Sequence, residues 1–214
     1  VFLQKLIEYM IEFFKYQGTG NDFILIDDRK EKFDVNNQNL IVALCERRMG
    51  VGADGLILLR NHSTCNFEML YFNSDGKQSS MCGNGARCIV AFGKSLQLFE
   101  DSCVFMAIDG EHKAIITHDL ISIHMQDVHS ITSVNEAFVV DTGSPHYVAF
   151  VDDVYNIDVE TEGAGIRFSP EYKHEGINVN FIQVSNPPEM RTYERGVEEE
   201  TLSCGTGAVA AALS

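Results

Sequence analysis

No stretch of this chain approaches the ~20 consecutive apolar residues that a bilayer-spanning helix requires, so nothing in it marks an integral membrane protein. Basic residues are scarce, with 16 Lys+Arg against 31 Asp+Glu and a formal net charge of -15. Such a surface repels phosphate backbones and anionic lipid, so neither nucleic acid nor membrane is expected as a partner. The plainer use of the charge is to keep a cytoplasmic protein soluble. Low-complexity tracts are absent, and 45% hydrophobic content in 214 residues is enough for one large core or two small ones. The six cysteines include no CxxC pair, and no His/Cys cluster has zinc-finger spacing, so no metal site is expected. A chain of this size needs no disulfide staples, and reduced thiols are the default. The first ten residues, VFLQKLIEYM, carry Glu8 and lack both a basic start and a small-residue cleavage site, so they do not read as a secretory leader. Met10, just ahead of the strand-like IEFFKYQ, is a candidate natural start.

What is present is a duplication. Residues 81–91 read MCGNGARCIVA and residues 203–213 read SCGTGAVAAAL, each a Cys-Gly-x-Gly-Ala leading into an apolar, helix-forming run. A tyrosine, Tyr71 or Tyr193, stands 11 residues before each cysteine. Thr19-Gly20 precedes Cys82 by 63 residues, and Thr142-Gly143 precedes Cys204 by 62. Each Thr-Gly leads into an apolar run that ends in Asp-Asp, NDFILIDD in one copy and SPHYVAFVDD in the other. Three matches in order at nearly equal spacing argue for two copies of one module.

Periodicity predicts strands at IEFFKYQ, FILID, LILLR, FEMLYF, VFMAI, KAIIT and LISIHM, with helices at NLIVALCERR and GARCIVAFGKSL. The second half predicts strands at AFVVD, YVAFVDD, INVNFIQV and EMRTYER, with a helix from Gly205. The boundary is placed in the polar stretch from Asp127 to Ser133, giving halves 10–127 and 128–214. By analogy with the first copy, strands should follow the last helix, so the second half is expected to be incomplete at its C-terminal end. Gly50, Gly52 and Gly55 fit GxGxxG, but a dinucleotide fingerprint needs a strand before it and a helix after it. Here the order is reversed and a turn is expected.

Cys-Gly-x-Gly at the head of a helix is a chemical device. First-turn N–H groups lack intrahelical partners and carry partial positive charge. Glycine lets a ligand approach them, so a carboxylate or phosphate is suited to the site. The same field favours a thiolate, so each cysteine is expected to have a pKa below the usual ~8.5. Two such units facing one cleft suit inversion at an amino-acid α-carbon. One sulfur removes a proton from one face while the other returns a proton to the opposite face. The helix heads then hold the carboxylate as charge builds on it, without pyridoxal phosphate. For a single motif the plain alternative is a helix cap with a buried thiol, and a disulfide between Cys82 and Cys204 would be an inactive form.

YQGTGNDF at 16–23, ERRMGVGADG at 46–55, FNSDG at 72–76, MCGNGARC at 81–88, TGSPHYV at 142–148 and RTYERGVEEETLSCGTGA at 191–208 resemble, in order, the signatures of the diaminopimelate epimerase family. The resemblance runs from about Met10 to the end of the chain. MCGNGAR is specific, since the related proline racemases carry His where this chain has Asn84. It implies an α+β fold of two pseudo-symmetric domains, each a curved mixed sheet wrapped around a central helix, with the active site in the interdomain cleft. It also implies conversion of LL- to meso-diaminopimelate in lysine and peptidoglycan precursor synthesis, without a cofactor. A racemase of another amino acid, such as proline or hydroxyproline, is the alternative. The implied partner is the small amino-acid substrate, and a homodimer is a possible assembly.

On this resemblance Cys82 and Cys204 form the acid/base pair, with Glu194 and His146 as further catalytic residues. Gly83, Asn84, Gly205 and Thr206 hold the reacting carboxylate. Asn21, Asn73, Asn178, Glu194, Arg195 and Ser144 contact the rest of the substrate. A guanidinium suits the distal carboxylate because it can bind both oxygens, and Asn amides can serve both carboxylate and ammonium. Plainer readings stand beside these. Asn21 and Asn73 lie in turn-like sequence, Asn178 could face solvent along a strand, Glu194 and Arg195 could be an exposed pair, and His146 could be a loop histidine. Two departures from the family pattern, Gly55 where some members have Gln and Ser144 where Asn is common, put details of substrate contact in doubt. Rivals outside this chemistry are a thiol redox protein, which would want its cysteines close in sequence, and a binding module that has lost catalysis.

Overall fold

The computed structural model describes residues 10–214, so the leader question for residues 1–9 lies outside the described residues. Seven strands form one sheet in chain order: β1 (Phe14–Gly18), β2 (Asn21–Asp27), β3 (Gly55–Arg60), β4 (Phe67–Asn73), β5 (Ser102–Ala107), β6 (Gly110–Thr117) and β7 (Leu120–Ile123). Six form the other: β8 (Ile131–Val134), β9 (Ala137–Asp141), β10 (Pro145–Phe150), β11 (Asn178–Gln183), β12 (Glu189–Glu194) and β13 (Glu199–Thr201). Among the described residues four α-helices accompany them, α1 (Gln38–Cys45), α2 (Gly83–Ser95), α3 (Val159–Arg167) and α4 (Gly205–Leu213), with a single 3-10 turn at Val154–Asn156.

The same plan occurs twice. An antiparallel hairpin, β1–β2 or β9–β10, is followed by a parallel crossover, β2–β3 through α1 or β10–β11 through α3. An antiparallel strand then returns, β4 or β12, and the chain enters the helix headed by a cysteine. In the first hairpin Gly18 pairs with Asn21, leaving a two-residue turn, and both turn residues have positive φ, 54° at Thr19 and 86° at Gly20. That geometry suits the right-handed twist of a tight hairpin. Gly143, φ 92°, serves the second hairpin. Each hairpin turn rests on the head of its own half's cysteine helix. The Thr142 hydroxyl donates to the Thr206 carbonyl at 3.0 Å, and the Thr19 hydroxyl lies 3.2 Å from Asn84 Oδ1. The recurrent spacing from Thr-Gly to Cys therefore reflects a contact.

Strand alternation builds a core on each face of each sheet. Phe23, Leu25, Ile57 and Leu59 pack on α2, while Ile24, Ile26, Leu56 and Leu58 pack on Ile41 and Cys45 of α1. In the second sheet Val179, Phe181 and Tyr193 meet Val159 of α3, while Val140, Val148 and Ile182 meet Ala210 of α4. Helix α2 touches both edge strands, β1 and β7, so the seven-stranded sheet curls around it. This is the curved mixed sheet on a central helix that the family resemblance implies.

Four elements of the described residues went unread in the sequence, the short 3-10 turn at Val154–Asn156 and three others. Strand β8 begins inside the stretch assigned to the boundary, and the two sheets part between Ile123 and Ile131. Helix α3 is masked by its composition, VETEGAGIR, because Gly163 admits the Tyr193 side chain so closely that a Cβ there would lie 2.4 Å from Tyr193 Cβ. Its signals were the Asp158 cap, which accepts from Thr161 N, and the acidic first turn. Strand β13 is only three residues long. Gly50 and Gly52 lie in the turn between α1 and β3, with φ 79° at Gly52, as expected, whereas Gly55 already opens β3, paired with Phe23 and Asn73.

Candidate active site

The heads of α2 and α4 abut. A Cβ placed on Gly83 would lie 3.7 Å from Gly205 Cα. The cysteines before them, Cys82 and Cys204, are extended N-cap residues, and neither makes a side-chain cap hydrogen bond. Both open on one cleft of about 480 Å³, its mouth included. Of the residues singled out in the sequence, Cys82, Gly83, Asn84, Asn73, Ser144, Asn178, Glu194, Arg195, Cys204, Gly205 and Thr206 line it. All six cysteines are free.

Asn21 and His146 stand behind the lining. Asn21 Nδ2 donates to Asp54 Oδ2 at 2.7 Å, which turns Oδ1 toward Cys82 Sγ, 3.6 Å away. His146 is 0% exposed and its Nε2 lies 2.9 Å from Thr206 Oγ1. Burial and the nearby Arg195 cation pull its pKa down to about 3, so the ring is neutral near pH 7. It does not face the cleft, which separates it from a group that exchanges protons directly with substrate.

The thiols differ from expectation. Burial, then the Glu194 carboxylate, push Cys82 up to about 12, against the lowering effect of the Gly85 and Asn84 N–H groups. Cys204 is raised to about 11 by burial and Glu194, against Thr206 and the Gly207 N–H. The helix-head effect is present at both sites, but desolvation of the anion outweighs it. Burial also raises the Glu194 carboxyl.

Arg195 crosses between the halves. It donates to the Glu175 carbonyl at 3.0 Å and to the hydroxyls of Ser80 at 3.2 Å and Ser144 at 3.4 Å. These oxygens are neutral, so among the described residues its charge has no directly bonded carboxylate. Asn178 holds this arrangement, with Nδ2 donating to Ser144 Oγ at 2.9 Å and Oδ1 accepting from Arg195 N at 2.9 Å. Ser144 Oγ thus accepts twice, and its own proton is left to donate into the cleft. Asn84 Nδ2 reaches across to the Ser203 carbonyl at 3.3 Å.

Sequence reasoning missed Ser79, Ser80, Met81, Val197 and Ser203, which line the cleft, and Asn180, Thr192 and Asp54, which support it. Tyr71, known from the sequence only as a repeat marker, is also in the lining. Its ring explains the Gly55 departure, because a Cβ at position 55 would come within 2.5 Å of Tyr71 Cε2. Among the described residues no group of three or more His, Cys, Asp or Glu is placed to hold a metal.

Two like α+β halves close on a cleft, with a helix-head cysteine on each wall, in a fold that solved structures of a hydroxyproline epimerase and of PhzF-family proteins share. A hydroxyproline epimerase from Agrobacterium vitis is similar over 95% of this chain and 76% of its own, with TM-score 0.67 at 13% identity. A phenazine biosynthesis protein of the PhzF family from Bacillus anthracis is similar over 92% and 77%, with TM-score 0.69 at 14% identity. At such identities the likeness is one of fold. The family model for diaminopimelate epimerase matches residues 13–129 and 138–214. A diaminopimelate epimerase from Flavobacterium psychrophilum is 52% identical over 95% of this chain and 81% of its own length, and one from Chlorobaculum tepidum is 43% identical over 92% and 80%. The chain belongs to the diaminopimelate epimerase family, a family of isomerases.

Proposed function

We propose that this protein interconverts LL- and meso-2,6-diaminopimelate by a two-thiol mechanism without a cofactor. The observation that carries the reading is the pairing of Cys82 and Cys204 at two abutting helix heads, both lining one cleft. The reacting carboxylate sits on the first-turn N–H groups near Gly83, Asn84, Gly205 and Thr206, where positive backbone ends face it. The thiolate of one cysteine takes the α-proton. Charge spreads onto the carboxylate, and the thiol of the other cysteine protonates the opposite face. The pair ends with its protonation states exchanged, so no net proton is consumed.

Arg195, whose charge has no bonded carboxylate among the described residues, takes the distal carboxylate of the substrate, and the Ser144 proton adds a second donor. Asn73 serves the same end of the cleft, and Glu194, beside both sulfurs, receives the reacting ammonium. Asn21 and His146 act through Cys82 and Thr206. A cytoplasmic location belongs to the same reading, and among the described residues no helix is long and apolar enough to cross a membrane. A homodimer is its assembly, which sedimentation would test.

Proton NMR of LL-diaminopimelate in deuterated water tests the function. Deuterium should enter the α-carbon as the meso form appears, and Cys82→Ala or Cys204→Ala should stop epimerisation. No exchange by reduced, folded protein would reject this substrate, and a panel led by proline and hydroxyproline would then test the alternative. Arg195 favours the diacid, because a cyclic imino acid has no second carboxylate for it.

A further inference from the structure

The two cysteines sit in matching backbone but unlike polar surroundings. Cys82 Sγ faces Asn21 Oδ1 at 3.6 Å. The Asn21 amide cannot turn over, because its Nδ2 donates at 2.7 Å to Asp54 Oδ2, a carboxylate oxygen that only accepts. An amide oxygen also only accepts, so Cys82 satisfies it by keeping its proton.

Cys204 faces the opposite polarity. Its Sγ lies 3.4 Å from Thr206 Oγ1. Behind that hydroxyl, on the face of the second sheet turned toward α4, runs a chain of buried polar groups. Asn180 is 0% exposed, and its Nδ2 donates to the Tyr147 carbonyl at 3.1 Å, which fixes the amide's orientation. The Thr192 hydroxyl donates to Asn180 Oδ1 at 3.0 Å. The same Nδ2 lies 3.1 Å from His146 Nδ1, so that nitrogen must accept and the ring proton resides on Nε2. Nε2 then donates at 2.9 Å to Thr206 Oγ1, leaving the Thr206 proton free to point at sulfur. A hydroxyl aimed at Cys204 Sγ favours the thiolate.

We propose that Asn180 and Thr192 are positioning residues which, through the His146 tautomer and the Thr206 hydroxyl, make Cys204 rather than Cys82 the first of the two thiols to give up its proton. The proposal rests on the two-thiol reading and adds a direction to it. The other ionisable groups around Cys204 among the described residues include Glu194 from β12, Cys82 from the head of α2, His146 from β10, which stays neutral near pH 7, and the Arg87 guanidinium of α2, whose Nη1 lies about equally near both helix heads, 3.7 Å from a Cβ placed on Gly205 and 3.8 Å from one on Gly83. Glu194 opposes ionisation at both sulfurs.

The test is alkylation of the substrate-free protein by iodoacetamide between pH 7 and 9, with both cysteine peptides quantified by mass spectrometry. Cys82 is the internal reference. In the wild type Cys204 should react faster, although it is only 7% exposed. Thr206→Val should slow Cys204 roughly tenfold or more relative to Cys82, since a hydrogen bond to an ionised group is lost. Thr206→Ser, which keeps the hydroxyl, should restore the ratio. Thr192→Val, nearly isosteric and thus expected to fold, should lower the ratio in the same direction by less, and Asn180→Ala by more where it folds.

A Thr206→Val protein with the wild-type ratio, a Thr192→Val protein with no change, or a wild type in which Cys82 reacts first would overturn the proposal. The readout contains no substrate. A failure here alongside intact deuterium wash-in therefore removes the proton order alone, and absent wash-in removes the function.

Discussion

His146 should make the protein progressively less stable in mild acid, by an amount that its burial sets. The folded ring has its pKa at about 3 against the ordinary 6.5. Below pH 6.5 the unfolded chain takes up a proton there that the folded protein does not, so stability falls with pH. The contribution is fully present above 6.5 and is lost as pH drops toward 3. At pH 5 the unfolded ring has gained about 2 kcal/mol from protonation, while the folded ring remains almost wholly neutral.

The assay is urea unfolding of wild type and His146→Gln at pH 8 and pH 5. The quantity read is the difference between the two proteins in how much stability acid removes. His112, whose pKa is raised despite burial by its bond to Asp109, contributes with the opposite sign but equally in both proteins, so it cancels. Wild type should lose about 2 kcal/mol more than the variant. Equal losses would mean that His146 is charged or exposed in the fold, and the fixed tautomer behind Thr206 would go with it.

Three further outcomes follow from the packing. Asp28, 3% exposed, accepts from Arg60 Nε at 2.8 Å and from the N–H groups of Lys32 and Phe33, so Asp28→Ala should cost about 3–5 kcal/mol in chemical denaturation while turnover per folded molecule is unchanged. A Cβ on Gly207 would lie 2.3 Å from Asn180 Oδ1, so Gly207→Ala should cost about 1–3 kcal/mol and also slow alkylation of Cys204, whereas equal stability would show that Asn180 is free to move. Arg195→Lys keeps the charge but loses the planar fork, so KM for diaminopimelate should rise roughly tenfold or more with a smaller change in kcat, and an unchanged KM would remove Arg195 from substrate binding.

The parts legible in the sequence were those that backbone geometry enforces. Cys-Gly-x-Gly recurs because two helix heads must come close to each other at Gly83 and Gly205. Thr-Gly recurs because the hairpin turn must rest on that head. Continuous apolar strands such as FILID were legible because the sheet is covered on both faces there. Helix α3 was hidden because Gly163 serves its contact with Tyr193 at the expense of helix propensity. The thiol pKa values were misjudged for a different reason. The helix field can be read from the position of a residue, but burial and the approach of Glu194 exist only once both halves have folded. Tyr71 was seen as a repeat marker and not as the ring that excludes a side chain at position 55.

That division between backbone and side chain also bears on the chemistry. A reaction that inverts one carbon needs two similar cradles, and duplication supplies them: each half has a hairpin turn, a crossover, a return strand and an uncapped helix head. Two identical thiol sites, however, would share one proton without preference. The side chains break the tie. The first half places an acceptor, Asn21 Oδ1, against its sulfur, and the second places a donor, the Thr206 hydroxyl, against its own. Neither polarity can be read from the repeat, because each is set by a residue outside it in space: Asp54 turns one amide, and Asn180 fixes one imidazole. The symmetry of the motif therefore locates the reaction, and the asymmetry of the groups behind it gives the reaction a starting direction.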